Sequence, residues 1–284
     1  MKIYLASPDR ELVYEIISRF NPKPNVLLSY VNVGSHFSSF LHAYRPRLGS
    51  LMVDSGGYSD MAGTRKVELE PLTSFLGVCG HHFNYCINLD IEPENFDHRM
   101  WNMARINSAG LSVLPVIHDV FSGEIDQLYN RGYRYILIGS SHGNDPQQLN
   151  FIFNRYVYSG RFPEILFHKL GTATYATLSG YPFYSSDSAI FAHNAAYGRV
   201  MFWNESREPA PNGDRTDFFY FGGLTRWPRY HKHPHVGELE DYLWTTFHYR
   251  LSDLEGPQSC FQRQIVNVKY LLDLQDFLTR KHTT

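Results

Sequence analysis

The sequence predicts a parallel (β/α)8 barrel of the TIM type over residues 1–198, followed by an irregular and helical extension over residues 199–284. Short apolar segments alternate with helical or turn-like segments, as in parallel sheets covered by helices. About eight such units within roughly 200 residues fit a closed barrel near its lower size limit. Polar residues also end most of the apolar segments, and in a barrel these ends share one face. An open doubly wound sheet is the alternative.

Eight short apolar segments, bounded by turn-forming or polar residues, are predicted to be strands. In chain order they are 3–6, 26–31, 51–54, 85–90, 112–118, 135–139, 165–170 and 183–186. Helices are predicted between them at 9–20, 36–44, 70–81, 96–109, 124–131, 145–158 and 175–178. Asp145-Pro146 is a typical helix start, because Asp caps free amides and Pro fits the first turn.

The extension follows a different pattern. Residues 199–235 are predicted to be loop-like because they contain Pro209, Pro211, Pro228 and Pro234. Residues 236–249 and 260–280 are predicted to be helical. We expect this extension to complete the barrel wall and to carry a binding patch.

Composition limits the setting and the partners. The net charge of −2 gives no overall basic field for nucleic acid, although a local patch suffices for binding. Three cysteines are too few for a disulfide framework, which favours a reducing, cytoplasmic setting. No apolar run approaches the roughly 18 residues of a membrane helix, and no signal-peptide pattern starts the chain, so no membrane partner is expected.

Carboxylates at the predicted strand ends suggest chemistry. Asp54, Asp90 and Asp187 each follow an apolar segment, and we expect Asp54 and Asp187 to face one pocket. Two such carboxylates can divide the roles of nucleophile and proton carrier, as in cleavage of a glycosidic bond. The alternative is that each Asp caps the helix after its strand.

The same segments resemble a known family, the tRNA-guanine transglycosylases. Val53-Asp54-Ser55-Gly56-Gly57-Tyr58 is similar to the family's D-S-G-G-F motif. Residues 89–92, 115–118 and 138–141 resemble, in the same order, its segments for base recognition. Tyr181-Pro182-Phe183-Tyr184-Ser185-Ser186-Asp187-Ser188 resembles the segment with the family's nucleophilic aspartate. It is closer to the 7-deazaguanine DNA transglycosylase branch of phages and bacteria.

The resemblance, which spans about residues 50–198, implies roles for individual residues. Asp187 would be the nucleophile at C1′ of the target nucleotide, and Asp54 would carry the proton of the leaving and entering bases. Asp90 and His118 would hydrogen-bond the edge of the base. Tyr58 would stack on the base, although packing within the protein is an equal alternative. The other substrate-binding residues implied by the resemblance are Ser55, Gly56, Gly57, Gly139 and Ser140.

Departures from the family pattern shift the expected substrate from tRNA to DNA. The family's Cys-rich zinc site is missing, because only Cys260 follows the barrel. His118 replaces a Gln and Ser140 replaces a Gly, so the base that is read is expected to differ. The extension is also too short for an added RNA-binding domain. The target nucleotide must be single-stranded or flipped out of a duplex, and a free nucleobase would be the co-substrate of an exchange reaction.

The extension contains a candidate nucleic-acid-binding patch. Arg226, Arg229 and Lys232 suit phosphate contacts, and Trp227 suits stacking, although an inert basic loop is the alternative. The run His231-Lys232-His233-Pro234-His235 invites a metal interpretation. Pro234 and the lack of a carboxylate partner argue against it, so neither a metal nor another cofactor is expected.

The sequence leaves several functions open. A free base that attacks the glycosyl–enzyme intermediate gives base exchange, the leading prediction. Attack by water gives a DNA glycosylase that leaves an abasic site, as in defence against phage DNA. A metal-dependent barrel hydrolase and a non-catalytic nucleic-acid-binding relative are the other classes. The base, the strand preference and the oligomeric state are not predicted.

Overall fold

A computed structural model describes residues 1–20, 23–33, 37–139, 145–222 and 228–283, with Tyr58 described by its backbone only. Within these residues, nine parallel strands form one sheet. They are β1 (Lys2–Ala6), β2 (Asn25–Ser29), β3 (Ser50–Asp54), β4 (Tyr85–Ile87), β5 (Val113–Leu114), β6 (Val116–Ile117), β7 (Tyr135–Ile138), β8 (Leu166–Lys169) and β9 (Ser185–Ser188).

Pro115 interrupts one strand of the ring. β5 pairs with β4 and β6 pairs with β7, and Pro115 is the single residue between β5 and β6. Proline has no N–H to donate, but its carbonyl oxygen still accepts a hydrogen bond from Leu137 N at 2.9 Å. β5 and β6 therefore act as one strand that joins the two halves of the sheet. The predicted barrel of eight strand positions is confirmed.

Helices cover the outside of the ring at the predicted places. They are α1 (Arg10–Phe20), α2 (Phe37–Tyr44), α3 (Gly57–Met61), α4 (Leu69–Cys79), α5 (Phe96–Ser108), α6 (Glu124–Asn130), α7 (Pro146–Ile152) and α8 (Tyr175–Leu178). α7 continues as a π-helical stretch, Phe153–Tyr158. The short helix α3 was not among the predicted helices, because it begins at Gly57, directly after Gly56, and glycine is a poor helix former.

The strands separate two apolar layers. Leu27, Met52, Ile87 and Leu137, each from a different strand, pack together in the barrel interior. Tyr4 of β1 joins this interior layer, while its chain neighbours belong to the layer between strands and helices. This alternation follows from the two-residue period of a strand. Residues that lie two or four positions after a member of the interior layer on the same strand therefore also point toward the barrel interior.

α9 (Ile190–Ala196) follows β9 within the range predicted for the barrel. The extension contains β10 (Arg199–Trp203), β11 (Thr216–Tyr220), α10 (Val236–Phe247) and α11 (Cys260–Thr283). β10 and β11 form an antiparallel pair, so the prediction of a loop-like stretch from 199 to 235 was wrong in part. The prolines of this stretch lie outside both strands, where they leave the hydrogen-bonded ladder intact.

α11 joins the extension to the barrel. Gln275 Oε1 accepts a hydrogen bond from Ile3 N of β1 at 2.8 Å, and Asn267 Oδ1 accepts one from Met201 N of β10 at 2.8 Å. The division into domains at residue 198 stays a prediction. Among the described helices, none combines the length and apolar character needed to cross a membrane.

Candidate active site

The strand ends carry the predicted site residues. Asp54 closes β3 two residues after Met52 of the interior layer, and His118 follows Val116 of the same layer by two residues. Gly139 likewise follows Leu137 of the interior layer by two residues. The two-residue period therefore directs these positions toward the barrel axis at the carboxyl end of the strands. Barrel enzymes place their active sites at this end.

Asp187 lies within β9 rather than after it. The last strand was predicted at 183–186, but the structure has Ser185–Ser188, whose four residues are all buried. The carboxylate Oδ1 of Asp187 lies 3.0 Å from His168 Nε2 and accepts a hydrogen bond from Gly171 N at 3.0 Å. Among the described residues, both hydrogen-bond partners of Asp187 lie on Oδ1. Oδ2 therefore has no hydrogen-bond partner within the described part of the chain.

A buried hydrogen-bond chain holds His168. Its Nδ1 lies 2.6 Å from Ser185 Oγ, and Ser185 Oγ lies 2.6 Å from Tyr135 OH. Burial raises the pKa of Tyr135 far above its usual range, so its hydroxyl keeps its proton. We call Tyr135, Ser185 and His168 the relay. Because both ring nitrogens of His168 have partners, the relay fixes the ring orientation next to Asp187.

No role was predicted from the sequence for any of the three residues of the relay, although Ser185 belongs to the segment that contains Asp187. The three residues come from β8, β9 and β7, and only the sheet register brings them together, with His168 opposite Ser185. The two-residue period of a strand could have predicted Ser185 at the site, because Ser185 precedes Asp187 by two residues and therefore points to the same side of the strand.

Asp54 has a pKa suited to proton transfer. Burial raises the pKa of its carboxyl group to about 7, and the charges of Asp90 and Asp187 add to this rise, although a hydrogen bond from Gly56 N lowers it. That bond to Oδ2 measures 2.9 Å. Since Asp90 and Asp187 both act on Asp54, the three carboxyl groups share one electrostatic environment. A group with a pKa near neutrality can both donate and accept a proton at physiological pH.

Asp90 and His118 form a buried pair. His118 Nε2 lies 3.0 Å from Asp90 Oδ2, and His118 Nδ1 is buried with no hydrogen-bond partner among the described residues. α5 steadies the loop before Asp90, because Asn102 Nδ2 donates to Leu89 O at 3.1 Å. A buried polar atom without a partner costs about 1–3 kcal/mol, which makes His118 Nδ1 a candidate contact for a ligand.

The glycines leave room for this pair. A Cβ at Gly57 would lie 2.4 Å from Asp90 Oδ1, and a Cβ at Gly139 would lie 2.7 Å from His118 Nδ1. Gly56 has a φ of 86°, which favours glycine. Ser55 is buried, and its Oγ accepts a hydrogen bond from Gly57 N at 3.4 Å. These contacts give the glycines a role within the protein, beside the predicted approach of a base.

A buried cation lies near Asp187. Lys169 is fully buried and donates through Nζ to Leu170 O at 3.0 Å and to Gly139 O at 3.4 Å. Burial lowers the pKa of Lys169 to about 8, while the charge of Asp187 opposes this change. Lys169 begins the stretch of sequence that leads to Asp187 and resembles the known family, but no role was predicted for its side chain, because a lysine in a strand is usually solvated.

A cavity of about 400 Å³ opens beside His118, with Asp119, Ser122 and Gln127 in its wall. Its volume is in the range of small-molecule sites. Of Asp54, Asp90, His118 and Asp187, His118 is the residue that lines this cavity. The expectation that Asp54 and Asp187 face one pocket, together with Asp90 and His118, stays a prediction.

Part of the predicted site lies outside the described residues. This holds for Ser140, Arg226 and Trp227 and for the side chain of Tyr58. Of the candidate patch, the structure describes Arg229, whose guanidinium lies 4.0 Å from Glu255, and the exposed Lys232. Glu255 thus offsets part of the positive charge of this patch.

Searches of the sequence against models of protein families and against curated proteins found no match.

Proposed function

We propose that the protein cleaves an N-glycosidic bond in DNA, with Asp187 as the nucleophile and Asp54 as the proton carrier, and replaces the released base with another. The observation that carries the proposal is the contrast between the two carboxyl groups. Asp187 accepts hydrogen bonds on Oδ1 from His168 and Gly171, while burial raises the pKa of Asp54 to about 7. Two carboxyl groups in different environments suit the roles of nucleophile and acid–base catalyst.

The proposed reaction has two steps. In the first, Asp187 Oδ2 forms a bond to C1′ of the nucleotide, the bond from C1′ to the base nitrogen breaks, and the proton of Asp54 goes to the leaving base. In the second, a nitrogen of the incoming base attacks C1′ and displaces Asp187, and Asp54 takes the proton from that nitrogen. Asp90 and His118 would recognise the edge of the base.

The resemblance of two motifs to tRNA-guanine transglycosylases supports this choice of reaction. These are Asp54-Ser55-Gly56-Gly57 and Tyr184-Ser185-Ser186-Asp187-Ser188, the second closer to the 7-deazaguanine DNA branch. The lack of a Cys-rich segment after the barrel favours DNA over tRNA. The partners in this proposal are DNA with an accessible nucleotide and a free nucleobase. Three free cysteines suit a cytoplasmic setting.

A hydrolytic DNA glycosylase is the second candidate. Its intermediate is the same, but water attacks C1′ and leaves an abasic site, a useful outcome in defence against phage DNA. The cavity beside His118 favours this outcome, because it is partly open to solvent and can admit water. No comparable observation favours a metal-dependent hydrolase, since the three-residue group of metal ligands found in the described residues lies in the extension.

The test uses single-stranded and duplex DNA with normal or modified bases, with and without an added labelled free base. Base release and incorporation of the label would support exchange, whereas base release with alkali-labile sites and no incorporation would support the glycosylase. Asp187→Asn should lower base release on the order of 10³-fold or more while DNA binding persists. Asp97→Asn, at an exposed position in the first turn of α5, is the matched control.

Trapping of the intermediate tests the role of Asp187 directly. Wild-type protein quenched in denaturant should carry DNA covalently bound at Asp187, and Asp187→Asn should carry none. Base release by Asp187→Asn at the wild-type rate would exclude this residue as the nucleophile.

A further inference from the structure

A group of potential metal ligands lies in the extension, outside the proposed active site. One ligand atom from each of Asp217, His233 and His235 lies within 4.8 Å of the other two. Asp217 belongs to β11 and is buried, and the two histidines precede α10. The sequence showed the histidines without a carboxylate partner. The fold supplies Asp217, which lies 16 and 18 residues away in the sequence.

We propose that Asp217, His233 and His235 bind one divalent transition-metal ion, with zinc as the best fit. Two imidazole nitrogens and one carboxylate oxygen form a ligand set that zinc accepts, and three protein ligands leave a position for water. This proposal is independent of the proposed enzymatic function. It departs from the expectation, based on sequence alone, that no metal is bound.

The distances need only small changes for coordination. His235 Nδ1 lies 2.8 Å from Asp217 Oδ2, and His233 Nε2 lies 4.0 Å from Asp217 Oδ1. Ligands about 2.0–2.1 Å from a tetrahedral ion are about 3.3 Å apart. An ion between the three side chains would replace the proton that His235 and Asp217 share. The ring of His233 packs on Phe219, with 4.1 Å between ring centroids, which limits its orientations.

Two contacts compete with the ion. Arg207 NH1 donates to Asp217 Oδ1 at 2.6 Å and also to Thr216 O at 2.9 Å, so the guanidinium can keep one partner if it leaves the carboxylate. The backbone N–H of His235 donates a hydrogen bond to the ring nitrogen Nδ1 of His233 at 3.2 Å. That long contact must open when Nε2 binds the ion, because the neutral ring then carries its proton on Nδ1.

Asn204 helps to orient the carboxylate of Asp217. Its Nδ2 donates to Asp217 Oδ2 at 3.0 Å, and this hydrogen bond is compatible with an ion on the other lone pair of that oxygen. Such partners orient ligating carboxylates in metal sites. The bound ion would fix the segment before α10 to β11, next to the candidate patch of Arg229 and Lys232.

The experiment uses the full chain, freed of metal with a chelator and titrated with Zn(II) or Co(II). Wild-type protein should bind one ion per chain, show the visible absorption of protein-bound Co(II), and melt at a higher temperature with zinc. His233→Gln and His235→Gln should bind zinc about 10-fold more weakly or worse. His231→Gln, an exposed histidine of the same segment, is the matched control and should bind like wild type.

Arg207→Met separates a built site from chance binding by a histidine-rich segment. It removes the cation that competes for Asp217 Oδ1, so its zinc affinity should exceed that of wild type. An unchanged affinity in Arg207→Met, an equal loss in His231→Gln, or less than one ion per wild-type chain at micromolar free zinc would overturn the proposal. The wild-type stoichiometry decides the question even if a variant fails to fold, and circular dichroism reports folding.

Discussion

At the scale of single residues, the raised pKa of Asp54 makes the stability of the protein depend on pH. Burial raises its pKa from 3.8 to about 7, so between these pH values the folded state holds a proton that the unfolded chain has lost. The unfolded chain binds fewer protons in this window, and the free energy of unfolding therefore falls as the pH rises through it. A buried carboxyl group with a raised pKa thus destabilises the fold above neutral pH.

Asp54→Asn should therefore stabilise the protein at alkaline pH, although it should lower the proposed base release. We expect its free energy of unfolding at pH 8 to exceed that of wild type by roughly 2–4 kcal/mol, and the difference to shrink toward pH 4. Urea unfolding across this pH range measures the difference. Asp97→Asn should change little at either pH, and a pH-independent effect of Asp54→Asn would contradict the raised pKa.

At the scale of structural elements, the relay connects three neighbouring strands. β7, β8 and β9 contribute Tyr135, His168 and Ser185, and their polar atoms form one chain of hydrogen bonds that ends at Asp187. Removal of one member leaves its neighbours buried without a partner, which typically costs about 1–3 kcal/mol of stability. The effects of two such changes should not add, because the residues belong to one network.

A double-mutant cycle tests this connection. Tyr135→Phe and Ser185→Ala should each destabilise the protein, and the double variant should lose at least about 0.5 kcal/mol less than the sum. Tyr156→Phe, which removes a hydrogen bond to Asp126 elsewhere, should combine additively with Ser185→Ala. Additive losses for Tyr135→Phe and Ser185→Ala would mean that the relay does not act as a unit.

Substitution of two helical glycines by alanine should have opposite effects on stability. Gly57 starts α3, where a Cβ would meet Asp90 Oδ1 at 2.4 Å, whereas exposed Gly77 in α4 has nothing within 4 Å of a Cβ. Gly77→Ala should stabilise the protein by about 0.5–1 kcal/mol, because alanine loses less backbone entropy in a helix. Gly57→Ala should destabilise it and disturb the Asp90–His118 pair. Equal effects of the two changes in thermal unfolding would rule out this contact.

The sequence was sufficient for the elements that depend on apolar patterning. The eight strand positions follow from it, because a parallel strand covered on both faces is apolar throughout. β9 was placed two residues early because its residues are Ser, Ser, Asp and Ser. Their side chains are buried by hydrogen bonds to neighbouring segments, such as that between Ser185 and Tyr135, rather than by apolar packing. The relay and the Asp217 group were not predictable, since each joins residues whose proximity depends on strand register or on the path of the extension.

At the scale of the whole molecule, the charge is nearly balanced, with a net charge of −2. Any binding of DNA must therefore depend on local cations. Glu255 lies near Arg229, but Lys232 is exposed and has no ion-pair partner among the described residues. A small patch of this kind predicts weak binding with a shallow dependence on salt, because the dependence grows with the number of phosphates that the cations neutralise.

Replacement of Arg226, Arg229 and Lys232 together by Ala tests the patch. The slope of the logarithm of the binding constant against that of the salt concentration should flatten by roughly one unit for each phosphate that the variant no longer binds. Lys23→Ala, just before the amino end of β2, should leave the slope as in wild type. Binding curves at several salt concentrations give the slopes. An unchanged slope in the triple variant would identify the patch as an inert loop.

The contact between Gln275 of α11 and the first strand has a consequence for synthesis on the ribosome. Gln275 Oε1 accepts hydrogen bonds from Ile3 N and from Asn25 Nδ2, residues translated some 250 positions or more before it. At about 5–20 residues per second, β1 and β2 wait on the order of ten seconds to a minute for this partner. During that interval Ile3 N and Asn25 Nδ2 lack their partner in α11, and we expect chaperones to bind the incomplete barrel.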